Sequence, residues 1–264
     1  MANASSAPIA KKENDSKGGS IFAGVSILGC FMVGYFVWKV IFGASSNFDE
    51  KGHPLPGNYF GMIYSGGIVV PILMGLLLMV LVFSIERFIV INKSAGVGQV
   101  GSFVKKVQKL IVSGNMDEAI QECDKQKGSV ANVIRAGIEK YKQAERDGLN
   151  AEEASEAIQK EIEEATSLEM PMLEKNLVIL STLVSIGTLV GLLGTVTGMI
   201  KAFSALSAAG SPDSAQLANG ISEALINTAT GISTSTLAII FYNFFTTKID
   251  KLTYSIDEAG LKKL

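Results

Sequence analysis

Residues 177–200 read LVILSTLVSIGTLVGLLGTVTGMI, with no Asp, Glu, Lys or Arg among them. A helix rises 1.5 Å per residue, so about 20 apolar residues cross a hydrocarbon core of about 30 Å. The stretch predicts a membrane helix. Three more bands of the same kind occupy residues 21–43, 67–85 and 224–247, and Lys39 is the one charge in all four. The chain of 264 residues is 18% charged overall. Its charges therefore crowd into the segments outside the bands, which have an ordinary soluble composition. The expected fold class is an all-α integral membrane protein with a sizeable water-exposed part. A formal net charge of −2 and two Cys exclude a basic nucleic-acid binder and a secreted disulfide scaffold.

Lys and Arg in short flanking segments set orientation. Lys11, Lys12 and Lys17 precede the first band, Lys51 alone lies between the first two, and Lys248, Lys251, Lys262 and Lys263 follow the last. Residues 92–176 hold 12 basic and 15 acidic residues. Both termini and this middle segment are placed in the cytoplasm. The first band has a rival reading as a signal peptide, because it ends in Gly43-Ala44-Ser45, but its length exceeds the 7–15 residues of a typical apolar signal region.

The middle segment reads as helical. Phe103, Val107, Leu110 and Ile111 recur at helical spacing, as do Val130, Val133, Ile134, Ile138 and Tyr141. Ser129 is the expected N-cap, after Gly128, and Asp147-Gly148 the expected stop. The acidic run from Glu152 to Glu174 reads as a solvated helix face, continuing into the third band with a kink at Pro171. Glu86-Arg87, at the end of the second band, reads as an interfacial anchor.

Chemistry concentrates in the last two bands. In the third, Thr188, Gly191, Thr195, Gly198 and Ala202 lie within about 80° of one another around a helix, spacing that lets helices approach closely. In the fourth, Glu223, Asn227, Thr230 and Thr234 fall within about 60° of arc, and Ala224, Thr228, Gly231 and Ser235 fill the adjoining arc. Isoleucines and leucines occupy the opposite side. Thr188, Gly191, Gly198, Asn227, Thr230, Gly231 and Thr234 are thus candidates for lining a pore. Glu223 either serves as a proton or ion site or stands at the membrane interface, and Lys201 either pairs with it or reaches to the headgroups. Cys30, Cys123 and the single His53 form no metal-ligand spacing, and there is no phosphate loop or nucleophile elbow. No metal, cofactor or enzymatic reaction is expected.

Residues 189–200, LVGLLGTVTGMI, followed by Phe203, resemble the signature of the MotA/TolQ/ExbB proton-channel family. Residues 221–232, ISEALINTATGI, resemble its second signature, and Tyr242-Asn243 also fits. The likeness runs from about Gly66 to Asp250 and includes Ser84-Ile85-Glu86-Arg87-Phe88-Ile89. One membrane helix, a large insertion and two further membrane helices are most similar to ExbB. Thr188 departs from a position where relatives commonly carry Pro, and the first band has no counterpart in shorter members.

The resemblance implies a homopentamer around the membrane helices of an ExbD-type single-span partner, in the bacterial inner membrane, energising a TonB-type protein with inward proton flow. Thr195, Glu223 and Thr228 match the family's functional positions. The implied segments are a cytoplasmic N-terminal stretch 1–19, an extra N-terminal membrane helix 20–43, a periplasmic loop 44–66, a membrane helix 67–91 and a cytoplasmic helical domain 92–176. A membrane helix 177–206, a periplasmic loop 207–216, a membrane helix 217–247 and a cytoplasmic tail 248–264 complete the chain. A TolQ-like envelope role, a motility stator and a membrane scaffold are the alternatives.

Overall fold

The structure, a computed structural model, describes residues 7–50, 52–208 and 214–259. Ser211-Pro212-Asp213, which reads in the sequence as a helix start ahead of Glu223, and the lysines at 51, 262 and 263 lie outside them. The protein is an all-α integral membrane protein. Four helices among the described residues are long and apolar enough to cross a bilayer, in Ile21–Phe42, Val69–Ser94, Ala151–Ser204 and Gln216–Glu258. The chain forms two compact units, Met1–Ser84 with Ile179–Ile240 and Ile85–Val178 with Phe241–Leu264.

The helices are α1 (Ala7–Phe36), α2 (Tyr59–Tyr64), α3 (Val69–Ser94), α4 (Val100–Val112), α5 (Met116–Gln126), α6 (Ser129–Arg146), α7 (Ala151–Glu174), α8 (Leu177–Ala208) and α9 (Ser214–Glu258). In the first unit, α1 continues as a π-helical turn, Val37–Phe42. The loop after it folds on aromatic stacking: Trp38 lies on Tyr64 at 4.7 Å and Phe42 on Phe60 at 5.2 Å. Buried Asn47 donates to the carbonyls of Ile41 and Phe42 and accepts from Asn58, the residue that caps α2. Further along α1, Gly34 meets α3 so closely that a Cβ there would stand 2.9 Å from the Gly75 nitrogen. Close approach between small residues is how helices gain contact in lipid, where apolar burial drives little association. The first band is therefore packed on α3 within this unit.

In the second unit the helical pattern of the sequence is realised. Phe103, Val107 and Ile111 of α4 and Val130, Val133, Ile134 and Ile138 of α6 are buried. Asn150 and Glu153 form a reciprocal capping box at the start of α7. The turn after α5 uses Lys127 and Gly128 with positive φ, and a Cβ on Gly128 would strike the backbone of Ser94 and Gly96. Gly128 is itself the N-cap of α6, with Ser129 the first helical residue, and α6 stops at Asp147-Gly148 as expected.

The connection into the third band differs from the expected kink. Pro171 sits inside α7, and the helix breaks later, at Lys175 and Asn176. The Lys175 amide still reaches the Pro171 carbonyl at 3.0 Å. The next carbonyls, Met172 and Leu173, accept from Arg87 Nη1 at 3.2 and 3.0 Å. In an unbroken helix they would accept from the amides of residues 176 and 177, so the guanidinium takes the place of the missing turn. Arg87 is 2% exposed, is bound by Glu86, and Glu86 accepts from Asn176 Nδ2 at 3.2 Å. Glu86-Arg87 thus builds a helix break and does more than anchor an interface.

Removing one partner of a buried ion pair costs about 3–5 kcal/mol. Arg87→Ala should accordingly lower the thermal unfolding midpoint of the detergent-solubilised protein by several degrees, and an unchanged midpoint would contradict this account of the break. Cys123 is 3% exposed, and burial pushes its thiol up to about 12. In a Cys30→Ser background, maleimide should label Cys123 only after denaturation, as read by mass spectrometry.

Candidate functional site

The seam between α8 and α9 is made by glycine. A Cβ on Gly191 would stand 3.0 Å from the Gly231 Cα, and one on Gly198 would stand 2.8 Å from the backbone of Gly220 and Ala224. Gly187 faces Ser235 and the Gly231 carbonyl. Where glycine lets the two backbones approach, short hydroxyl side chains reach across. Thr188 Oγ1 donates to Ser235 Oγ at 2.9 Å. Thr195 and Thr228 share a hydrogen bond between their hydroxyls. The hydroxyl that accepts in this bond is free to donate to its own helix, Thr195 having the Gly191 carbonyl at 3.2 Å and Thr228 the Ala224 carbonyl at 3.1 Å. A hydroxyl both donates and accepts, so this pair can pass a proton by reorienting.

The other polar arc of α9 meets both α8 and the turn before α3. Glu223, with a side chain 12% exposed, pairs with Lys201 of α8 at 2.5 Å. Its carboxylate lies against Gly67, whose φ is +74° and where a Cβ would collide with it. Asn227, fully buried, donates to the Gly66 carbonyl at 2.9 Å, while its Oδ1 has no donor among the described residues. Thr230 and Thr234 donate to the Ile226 and Thr230 carbonyls of their own helix. Serines and threonines in membrane helices commonly close on their own backbone in this way.

The structure therefore brings together Thr195 with Thr228, and Glu223 with Lys201. No hydrogen bond joins these two pairs among the described residues. Gly191, Gly198 and Gly231 lie at the α8–α9 contact. Sequence reasoning did not single out Gly66-Gly67 or Ser235's bond to Thr188. A Gly-Gly pair just before an apolar band is a turn signal, and its side toward α9 became visible only in three dimensions.

The family described as the MotA/TolQ/ExbB proton channel family matches residues 125–258. The Tol-Pal system protein TolQ of Pseudomonas aeruginosa is 33% identical over 124 residues, which are 47% of this chain and 54% of that protein. A putative biopolymer transport protein ExbB homolog of Methanothermobacter thermautotrophicus is 26% identical over 210 residues, 78% of this chain and 70% of that one. The biopolymer transport protein ExbB of Xanthomonas campestris is 34% identical over 91 residues, covering 34% and 36%. The chain spans about half the length of the TolQ relative it matches.

Overpacking a tight contact costs about 1–3 kcal/mol. Gly191→Leu should therefore lower the thermal midpoint in detergent, whereas Leu192→Ala, at an exposed position of α8, should leave it within error. Equal midpoints for the two variants would remove the glycine contact as the basis of the seam.

Proposed function

The chain belongs to the MotA/TolQ/ExbB proton channel family, and we propose that within it the chain works as an ExbB-like subunit of a proton-driven motor in the bacterial inner membrane. Five copies would surround the membrane helices of an ExbD-type single-span protein and drive a TonB-type protein. In this reading residues 92–176 lie in the cytoplasm, and the first band stays in the mature protein as a membrane helix. An enzymatic reaction is no part of it. Proton flow is driven physically: one charge crossing 100 mV releases about 2.3 kcal/mol.

The observation that carries the reading is the combination of one shielded carboxylate with an interhelical hydroxyl pair in an otherwise small and apolar seam. An acid at that position is costly unless it pairs or takes up a proton. Glu223 is assigned the mouth of the path, and Thr195 with Thr228 its middle. Asn227, Thr230, Thr234 and Thr188 support the polar wall, and Gly191, Gly198 and Gly231 hold its helices together. A TolQ-like role in envelope maintenance is the second reading. It is favoured by the 33% identity to a protein named for the Tol-Pal system. The mechanism in the membrane is the same and the partner differs.

Glu223→Ala should abolish proton-dependent transport in cells lacking the native gene while leaving the subunit assembled. Equal transport at matched expression would sink the assignment. Thr195→Val and Thr228→Val each remove one hydroxyl of a pair worth about 0.5–1.5 kcal/mol. Transport by each should fall, and the double variant should be no worse than the more impaired single one, since either change breaks the same bond. Co-purified single-span proteins identified by mass spectrometry separate the ExbB-like from the TolQ-like reading.

A further inference from the structure

Glu223 is held by one ammonium on a seat made of backbone. Its Oε1 lies 2.5 Å from Lys201 Nζ, and the lysine side chain is 57% exposed where the glutamate is 12% exposed. The seat is the turn before α3, where Gly67 leaves no room for a Cβ beside the carboxylate. Asn227, one turn along α9, fixes the same turn through the Gly66 carbonyl. Among the described residues, Lys201 of α8 is the ion-pair partner of the carboxylate and the Gly67 backbone lies against it.

We propose that Lys201 is a positioning residue that keeps Glu223 free of a proton in the resting subunit, so that proton uptake by Glu223 is an exchange of ammonium for proton. A shielded carboxylate must be neutralised by a cation or by a proton. The ion pair supplies the cation. Lysine carries a compact, hydrated charge on a flexible stem, and no protein side of the described chain encloses it, so the ammonium is free to move off the carboxylate. The carboxylate, wedged against the glycine turn, cannot follow it. Once bare, it binds one proton from the aqueous side on a carboxylate oxygen. Lys201 keeps its three protons, and the net change is one proton bound. Return of the ammonium expels that proton. Glycine at 67 has a role in this scheme, since it lets the carboxylate sit shielded and still within reach of α8.

The inference rests on the reading of Glu223 as the acid of the proton path, but its test reads the proton itself. Infrared spectra of the full-length protein in lipid nanodiscs at neutral pH report a protonated carboxyl through its carbonyl stretch. Lys201→Met should gain a band equivalent to one carboxyl per subunit, and Lys201→Met with Glu223→Gln should lose it. Lys201→Arg, which keeps the charge, should match the wild type. A lysine that merely packs the helices would give no band in Lys201→Met, and that result overturns the proposal. Should Lys201→Met fail to fold, the wild type carries the test. An apolar carbodiimide attacks protonated carboxyls and should leave Glu223 unmodified by mass spectrometry; modification of Glu223 there also overturns it. Undiminished transport by Glu223→Gln would remove the proton-path reading and leave the infrared result standing. Absence of the band would do the reverse.

Discussion

The close approach of α8 and α9 is the constraint on which the seam depends. Two helices in lipid gain little from burying apolar surface against each other, so their contact comes from backbone proximity and short polar bridges. Glycines at 187, 191, 198 and 231 supply the proximity. Only at that separation can the one-carbon reach of a threonine hydroxyl bridge the helices, as at Thr195–Thr228 and Thr188–Ser235. The same approach sets Lys201 beside Glu223. A single bulky residue at Gly191 or Gly231 would therefore undo chemistry at positions several turns away.

Much of this was legible in the sequence because membrane helices obey two strong rules, length of the apolar run and periodicity of small residues. The bands, the helical cores of α4 and α6 and the two polar arcs of α9 follow from those rules alone. Which neighbour each arc meets does not. Ala224, Thr228, Gly231 and Ser235 turn to α8, whereas Glu223 and Asn227 lie between α8, at Lys201 and Gly194, and the glycine turn before α3. Helical periodicity gives an angle around an axis and no information on what lies at that angle. The pairing of Glu223 with Lys201 was one of two open readings, and distance decided it.

The break between α7 and α8 shows another limit. Proline is the strongest local signal in that stretch, yet the chain stays helical for a turn beyond Pro171. The deciding group is Arg87, more than eighty residues earlier, whose guanidinium takes up two carbonyls that a continuing helix would use. A local rule weighs the missing amide of Pro171. It cannot weigh a buried cation from another helix that makes the interruption favourable by satisfying what the interruption exposes.

The two polar pairs of the seam differ in what they require of the protein. On the proposed reading, Thr195 and Thr228 each have a carbonyl of their own helix as an alternative acceptor, so a proton moving between them needs only the rotation of two hydroxyls. Glu223 is satisfied by Lys201, which on the same reading must leave before a proton can arrive. On the proposed reading, the hydroxyl pair is permissive and the ion pair is the point of control. Anything that draws the exposed ammonium of Lys201 away, such as a carboxylate brought close by a partner helix, would lower the cost of proton uptake at Glu223 without touching the threonines. Asn227 adds to this asymmetry, because its unmatched Oδ1 is a buried acceptor one turn from the acid. A buried acceptor without a donor is costly, of the order of 1–3 kcal/mol. On the proposed reading, the side of α9 that looks least like a channel wall, shielded and tied to a glycine turn, is the side where the electrostatic balance of the seam is set.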